Sequence, residues 1–365
     1  MFIGDNMKKR LSINMSKLSI GGMEKALVDL INKSNLREKY DIDLLLVYDT
    51  DKKNYLDLLP EDINVEILYK GNWGLKGKLI ASFKLLIKVI FPKKYDAAIN
   101  YTHHHKILSI LTRRQSENSI SFIHADLKSS RTKEELDVLC HNLKFEKFKK
   151  IVCVSECAKK AFQEIYPNYK GIVRVANNYI DQENIINKSK EKIDMKKSKT
   201  VTFVNVSRHE ECSKKISRIL EATKRLNAES YKFKVLLVGE GEDTITYKKY
   251  VEENNLTNVI FVGAKVNPFP YYKIADAFVF SSLYEGYGIV LNEARILNIP
   301  IITTNVADAR IITEEGYGIL CQNSSNGVYE GMKEYLNSGF KIKKVFDAKK
   351  FNQNITKTLD ELLEM

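Results

Sequence analysis

Short apolar runs alternate with longer amphipathic segments along nearly the whole chain. In the first half, apolar runs that predict strands cover residues 11–15, 43–48, 65–69, 96–101, 119–126 and 150–156. The run at 65–69 is short and typical of an edge strand. The helical spacing of apolar residues predicts helices at residues 26–32, 78–92 and 157–165. Strands that alternate with helices predict an α/β fold built on a parallel sheet.

The alternation restarts after a polar, lysine-rich segment at residues 184–199. Strands are predicted at residues 201–206, 234–238, 259–263, 277–280, 298–304 and 317–320, and helices at residues 216–226, 289–297 and 349–365. A length of 365 residues suits two domains. We therefore predict a first domain at residues 1–183, a linker at 184–199, a second domain at 200–344 and a C-terminal helical segment at 345–365.

Composition narrows the class of protein. The hydrophobic fraction of 44% is that of a globular protein, and no apolar run approaches the ~20 residues that span a bilayer. The N-terminus lacks the apolar core of a signal peptide. Five cysteines without disulfide-like spacing indicate a reducing cytoplasm, and Cys153 and Cys157 have no second pair to complete a zinc site. The net charge of +12 suits an anionic partner such as a nucleotide, a nucleic acid or an acidic membrane.

The most informative stretch follows the predicted strand at residues 277–280. It contains Gly286 and Gly288 and leads into a predicted helix, and this order of strand, glycine turn and helix N-terminus favours an anion. Glu285 and Glu293 bracket the turn, where they would repel a phosphate but would accept hydrogen bonds from sugar hydroxyls. We infer a site that holds a phosphate beside a polyol, as in a nucleotide-sugar.

The stretch S-x-x-E-G-Y-G-I-V-L-N-E-A, with seven residues between Glu285 and Glu293, resembles the E-x7-E signature of the group 1 family of retaining glycosyltransferases. The resemblance implies the GT-B fold, two Rossmann-like β/α/β domains that face an interdomain cleft, with the segment 345–365 crossing back to the first domain. It implies a transferase that moves a hexose from a nucleotide-sugar to an acceptor hydroxyl. Glu285 is then expected to bind sugar hydroxyls, Glu293 the ribose diol, and the backbone N–H groups of Gly288 and Ile289 the diphosphate.

A basic element precedes the first predicted helix of the second domain. Arg208 and Lys214 lie at a strand–helix junction, where a planar fork and a point charge suit a diphosphate. The element is similar to the family's G/S-R-x4-K pattern, but its spacing is one residue longer, so that Lys215 remains an alternative to Lys214. A solvated basic patch is the other interpretation. On the family's pattern, the two cations stabilise the leaving diphosphate and no metal is required.

Two elements of the first domain complete the resemblance. Gly21 and Gly22 open a G-G-x-E turn, which in the family faces the donor phosphates; a tight turn with no ligand is the alternative. His124 follows a predicted strand at the position where the family has a histidine near the reacting sugar. The sequence departs from the family at Tyr179, near a usual Pro or Gly, and at residues 307–309, where the usual glycines are missing.

Three further patterns contain residues that can bind a metal, but we interpret none of them as a metal site. The D-x-D patterns at residues 41–43 and 49–51 flank one short strand, without a second carboxylate cluster. His103, His104 and His105 are consecutive, and adjacent side chains point in different directions. Their position after a strand fits contact with an acceptor.

The segment at residues 78–94 is apolar and edged by lysines, with Trp73 upstream. Two interpretations remain open, a helix in an anionic membrane interface and a helix packed in the core of the first domain.

The resemblance thus implies a UDP-sugar donor, with a GDP-mannose-dependent mannosyltransferase or a nucleotide-sugar epimerase of the same fold as alternatives. By resemblance, the acceptor is a glycan hydroxyl, such as that of a lipid-linked intermediate of a bacterial surface polysaccharide. We expect no cofactor and no metal, a cytoplasmic protein that is peripheral on the inner face of the membrane, and no nucleic-acid partner, because no recognition motif accompanies the charge.

Overall fold

The computed structural model describes residues 8–19, 21–49, 54–71, 74–102, 104–128 and 132–364. The chain forms two compact units. The first comprises the residues up to Ile180 together with those from Lys349 onward, and the second comprises Asp181–Ala348.

The first unit is built on a seven-stranded sheet in the order β3-β2-β1-β4-β5-β6-β7. Its strands are β1 (Lys9–Met15), β2 (Tyr40–Asp49), β3 (Asn64–Lys70), β4 (Ala97–Asn100), β5 (Ser119–Ile123), β6 (Lys150–Cys153) and β7 (Ile172–Val175). Every neighbouring pair of these strands is parallel. The strand order reverses between β1 and β4, and β3 lies at the edge that the short run at 65–69 predicted.

The helices of the first unit follow the strands, and several begin at side-chain caps. They are α1 (Gly22–Lys33), α2 (Leu36–Lys39), α3 (Leu75–Ile90), α4 (Lys106–Gln115), α5 (Lys133–Leu143) and α6 (Glu156–Ile165), with 3-10 turns at Leu56–Leu58 and Phe145–Lys147. Thr132 and Glu135 form a capping box at the start of α5, and Ser155 caps α6. None of the helices in the described ranges is long and apolar enough to cross a membrane.

The second unit is built on a six-stranded parallel sheet in the order β10-β9-β8-β11-β12-β13. Its strands are β8 (Val201–Val206), β9 (Phe233–Val238), β10 (Val259–Gly263), β11 (Ala277–Phe280), β12 (Ile301–Thr304) and β13 (Gly318–Cys321). Its helices are α7 (Gln182–Lys188), α8 (Glu211–Lys214), α9 (Ile216–Ala228), α10 (Thr244–Glu253), α11 (Phe269–Ile274), α12 (Ile289–Ile296), α13 (Ala309–Glu314) and α14 (Ser325–Ser338). The strand order reverses between β8 and β11.

The last helix, α15 (Ala348–Glu364), belongs almost entirely to the first unit. Its Asn352 side chain bonds the backbone N–H and carbonyl of Ile180, at 3.1 and 2.8 Å. Asp360 forms an ion pair of 2.9 Å with Lys39. These contacts hold α15 against two parts of the first unit, α2 and the segment that ends at Ile180.

The unit boundaries differ from the predicted ones. The second unit begins at Asp181, so the segment predicted as a linker at 184–199 lies inside it and starts with α7. Ile185 is the buried residue of α7, and one buried side chain in seven residues leaves little apolar periodicity to detect.

Candidate active site

The loops that follow β8 and β11 meet at one edge of the second unit. Since the two strands are neighbours at the reversal of strand order, their carboxyl ends open into the crevice where parallel α/β sheets bind ligands. The first loop carries Arg208 and Lys214, and the second carries Glu285, Gly286 and Gly288. The topology thus brings the predicted donor-binding residues of this unit to one edge.

Lys214 and Glu285 form a close ion pair across these loops. Their side chains are 25% and 15% exposed, so that the pair is partly shielded from water yet open to a ligand. Ser282 donates a hydrogen bond of 2.9 Å to the same Glu285 oxygen. Lys215, the alternative from the motif spacing, adopts a left-handed backbone (φ 49°) and pairs with Glu211 at 3.5 Å instead.

Backbone contacts fix the two loops to each other. The Leu283 N–H donates to the Ser213 carbonyl at 2.7 Å, and the Ser281 hydroxyl donates to the Lys214 carbonyl at 2.9 Å. The buried guanidinium of Arg218 donates to the Ser281 carbonyl at 3.0 Å, and burial lowers its pKa. The position of Lys214 relative to Glu285 therefore depends on several hydrogen bonds beyond the ion pair.

The turn that leads into α12 requires glycine at one position. Gly288 has φ 71° and ψ 59°, the left-handed region, and a Cβ there would lie 3.2 Å from Leu291. Ile289 is the first residue of α12, so the N–H groups of Gly288 and Ile289 lie at the positive end of the helix. Gly286, in the same turn, is half-buried.

Glu293 lies on the second turn of α12 and is half-buried. It accepts a hydrogen bond of 3.1 Å from the hydroxyl of Tyr272, a fully buried residue of α11. Burial, followed by the negative charge of Glu293, raises the pKa of Tyr272. The tyrosine thus remains a donor that orients the carboxylate.

Arg208 and His209 have different environments although they are adjacent. The side chain of Arg208 is 70% exposed, and its Nη1 lies 4.0 Å from a carboxylate oxygen of Glu210; Arg208 forms no ion pair with Glu285 in the described part of the chain. His209 is fully buried, and its Nδ1 lies 3.0 Å from the Thr244 hydroxyl. Burial lowers the pKa of His209, so the neutral ring holds the loop against α10. Arg208 is accessible to a ligand but is not positioned by its neighbours.

The predicted residues of the first unit lie at the corresponding edge of its own sheet. Gly21 caps the N-terminus of α1 with extended backbone, and Gly22 begins the helix. A Cβ on Gly21 would lie against the carboxylate of Glu24, so the end of the Glu24 side chain would have to shift. The Ser16 N–H after β1 donates to the Thr102 hydroxyl after β4 at 3.1 Å, joining the two loops at the reversal point.

His124 lies at the carboxyl end of β5 against aromatic rings. Its ring centroid is 4.5 Å from that of Tyr101 and 5.8 Å from that of Phe122. Burial lowers the pKa of His124 to about 3, so the ring is neutral near pH 7. Burial, then the charge of Glu24, raises the pKa of Tyr101, which indicates that the Gly21 turn and this aromatic cluster share one environment.

The remaining candidate patterns have structural roles or lie outside the described residues. His103 and Trp73 are outside them, as are two residues of the 49–51 pattern. His105 caps α4, accepting from the Leu108 N–H at 3.3 Å, and burial lowers its pKa to about 4. Burial would raise the pKa of Asp43, but hydrogen bonds from Lys93, Tyr95 and Asn64 lower it.

The sequence did not single out four residues that support the site, namely Ser282, Arg218, His209 and Tyr272. A signal existed only for Arg218, which precedes buried Ala222 by four residues and so places a charge on the apolar side of α9. The other three look like ordinary loop or core residues until the two loops are brought together.

Comparison with known proteins shows which family part of the chain resembles. Residues 185–359 match the family model described as glycosyl transferases group 1. The capsular polysaccharide biosynthesis glycosyltransferase CapM of Staphylococcus aureus is 28% identical over 128 residues, 34% of this chain and 34% of CapM. An N-acetylgalactosamine-N,N'-diacetylbacillosaminyl-diphospho-undecaprenol 4-alpha-N-acetylgalactosaminyltransferase of Campylobacter jejuni is 27% identical over 47% of this chain and 46% of that protein. These alignments therefore span less than half the length of either relative.

The whole chain matches solved structures at the level of fold. Anabaena Alr3699/HepE, solved in complex with UDP and glucose, has a TM-score of 0.69 and 18% identity, covering 96% of this chain and 99% of that one. The lipopolysaccharide outer core galactosyltransferase WaaB has a TM-score of 0.70 and 16% identity over 96% of this chain and 99% of that one. The predicted GT-B fold, with two Rossmann-like parallel-sheet units, is confirmed. With the match at residues 185–359, the second part of the chain is similar to the glycosyl transferases group 1 family.

Proposed function

We propose that the protein is a retaining, metal-independent hexosyltransferase that uses a UDP-sugar and transfers the sugar to a hydroxyl of a glycan. The observation that carries the proposal is the contact of Lys214 with Glu285 beside the N-terminus of α12. One ligand with a diphosphate and a sugar satisfies this arrangement. Its phosphates meet Lys214 and the N–H groups of Gly288 and Ile289, and its hydroxyls meet Glu285.

In the proposed reaction, the bond between the sugar's anomeric carbon and the diphosphate oxygen breaks. A bond to the acceptor oxygen forms on the same face of the sugar, and the acceptor's proton passes to the departing diphosphate oxygen. Arg208 and Lys214 stabilise the negative charge that grows on the diphosphate, so no metal or other cofactor is needed. His124, neutral near pH 7, orients the sugar, and Gly21 and Gly22 admit the donor phosphates close to the backbone.

UDP is the proposed nucleotide. Alr3699/HepE, of the same fold, binds UDP, which supports this choice without deciding it. A GDP-mannose-dependent mannosyltransferase is the alternative within the family. A nucleotide-sugar epimerase of this fold is the alternative outside transfer chemistry, and it would convert its nucleotide-sugar without any acceptor.

The proposed acceptor is a lipid-linked glycan of a bacterial surface polysaccharide. The names of the two curated relatives support this, since one acts in capsular polysaccharide biosynthesis and the other on a diphospho-undecaprenol glycan. We further propose a cytoplasmic location at the inner face of the membrane. The cysteines are all free thiols, which agrees with a reducing compartment.

The proposal is tested by thermal shift with UDP, GDP and ADP at equal concentrations. We expect UDP to raise the melting temperature most, because a ligand that binds only the folded state stabilises it. Lys214→Ala should reduce the UDP shift, and Lys215→Ala, the matched neighbour, should keep it. A largest shift with GDP would favour the mannosyltransferase, and no shift with any diphosphate would contradict the donor site.

A further inference from the structure

Helix α3 of the first unit exposes apolar side chains on the side that faces away from the sheet. We define its outer face by Leu75, Leu79, Phe83, Leu86, Ile90 and Phe91. Leu75 and Phe91 are each 77% exposed, Phe83 is 66% exposed and Leu79 is 63% exposed. The first five recur at intervals of four, four, three and four residues, so they form one stripe along the helix.

The opposite side of α3 packs against other elements of the first unit. Gly77, Ala81 and Leu85 are its buried residues, and Ala81 and Leu85 pack in a cluster with residues of β2, β3 and α4. A helix that lies on a sheet is expected to have a polar outer face. Here both sides are apolar, and the outer face is an exposed patch of the kind that marks an interaction site.

The charged residues of α3 and of the segment that follows it have one sign. Residues 75–94 contain six lysines and no aspartate or glutamate. Lys84 and Lys88 are directed toward the sheet, where they bond the Leu68 carbonyl at 2.9 Å and Glu66 at 2.7 Å. Lys76 and Lys78 are exposed and form no ion pair with any described residue. Cations that are free of carboxylates therefore border the stripe near its start.

We propose that the outer face of α3 docks the protein on an anionic lipid bilayer. Leucine, isoleucine and phenylalanine side chains of such a helix enter the boundary of headgroups and acyl chains, while lysines at its border meet the lipid phosphates. A second copy of the chain fits less well. It would oppose the same lysines to each other, and α3 has no carboxylate to compensate them. The proposal goes beyond the donor chemistry and does not depend on it.

The test is flotation of the full chain with vesicles of phosphatidylcholine alone or with about a third phosphatidylglycerol. We expect binding to the anionic vesicles, weakened by added salt, and little binding to the neutral ones. The double variant Leu79→Ser with Phe83→Ser should lower the partition coefficient by more than about tenfold, because two apolar side chains no longer insert. Lys76→Gln with Lys78→Gln should lower it by about tenfold.

Matched controls distinguish binding by this face from nonspecific hydrophobic or electrostatic binding to the vesicles. Val138→Ser, which removes an apolar side chain of α5 that is also exposed, should bind as the wild type does, as should Lys147→Gln with Lys160→Gln. Unchanged melting temperatures show that each variant is folded. Equal binding to both vesicle types, or wild-type binding by the Leu79 and Phe83 double variant, would overturn the proposal. The proposal would also be overturned if the wild type formed a dimer and bound no vesicles while the double variant was monomeric.

Discussion

Lys214 and Glu285 form an ion pair that is largely shielded from solvent, a kind of contact that adds little net stability because desolvation offsets the attraction. The ion pair is better explained by a role in recognising a ligand than by a role in stability. In the proposed donor complex, the diphosphate attracts the ammonium of Lys214 and the sugar hydroxyls donate to the carboxylate of Glu285, so that one ligand satisfies both groups. Each residue could be identified from the sequence by its motif. Their contact could not, because it joins loops that are 71 residues apart.

Arg208→Ala and Lys214→Ala should each lower kcat by about 100-fold or more. In the proposed mechanism, both cations meet charge that grows as the sugar–phosphate bond breaks, so their loss should be felt most in the transition state. Glu293→Gln should mainly raise KM instead. If it holds the ribose, Glu293 contacts the same hydroxyls before and during the reaction. Steady-state kinetics with the nucleotide-sugar varied will separate the two effects.

Lys215→Ala is the matched control for Lys214→Ala. Lys215 pairs with Glu211 rather than with Glu285, so its removal should leave kcat within about twofold of the wild type. EDTA should leave wild-type activity intact if the two cations act without a metal. A normal kcat in Arg208→Ala, or loss of activity with EDTA, is incompatible with the mechanism.

At the scale of elements, the sequence predicted strands that contain runs of apolar residues. The strands at 201–206, 259–263 and 277–280 have the predicted bounds. The surface helix α5 was not predicted, because Leu143 is its buried residue and the periodicity is correspondingly weak. Its capping box of Thr132 and Glu135 is nevertheless visible in the sequence as a start signal.

The loop before α13 shows the physical effect of a departure from the family. Ala307 has φ 46°, a left-handed conformation that a Cβ disfavours, at a segment where the group 1 pattern that the sequence resembles has glycines. Ala307→Gly should therefore raise the free energy of unfolding by about 0.5–1 kcal/mol.

Ala309→Gly is the control for that substitution. Ala309 is fully buried and begins α13, so a glycine there should lower stability by about 1 kcal/mol through lost burial and greater chain entropy. Urea denaturation of both variants measures the two changes in the free energy of unfolding, which should have opposite signs. A loss of stability in Ala307→Gly would show that the left-handed conformation is not costly at this position.

At the scale of the whole molecule, two α/β units were predicted, and the resemblance implied that the C-terminal segment returns to the first one, as it does from Lys349 onward; the boundary after Ile180 was not predicted. The C-terminal helix α15 returns to the first unit through its buried apolar side, Ile355, Leu359, Leu362 and Leu363. The apolar stripe of α15 can be recognised in the sequence, but the surface of the first unit against which it packs cannot. Residues 184–199 were predicted as a linker from their charge, although α7 has a buried residue there.

Buried histidines in both units predict acid lability of the whole protein. Burial lowers the pKa of His105 to about 4 and of His124 to about 3 in the first unit, and lowers the pKa of His209 in the second. In the unfolded chain each titrates near 6.5. Below that pH the unfolded state binds more protons, so stability falls with falling pH, whereas above it these groups contribute no pH dependence.

The loss should reach about 2 kcal/mol for each of His105 and His124 between pH 7 and pH 5. Hydrogen exchange of peptides in β5, measured at both pH values, will report it for the first unit. His124→Leu should reduce the difference between the two pH values by about that amount, whatever its effect at pH 7, because the titrating group is gone. His141→Gln, on the exposed surface of α5, should leave the difference unchanged. If His124→Leu keeps the full pH dependence, His124 is not held neutral by burial, and its proposed role beside the sugar loses its electrostatic basis.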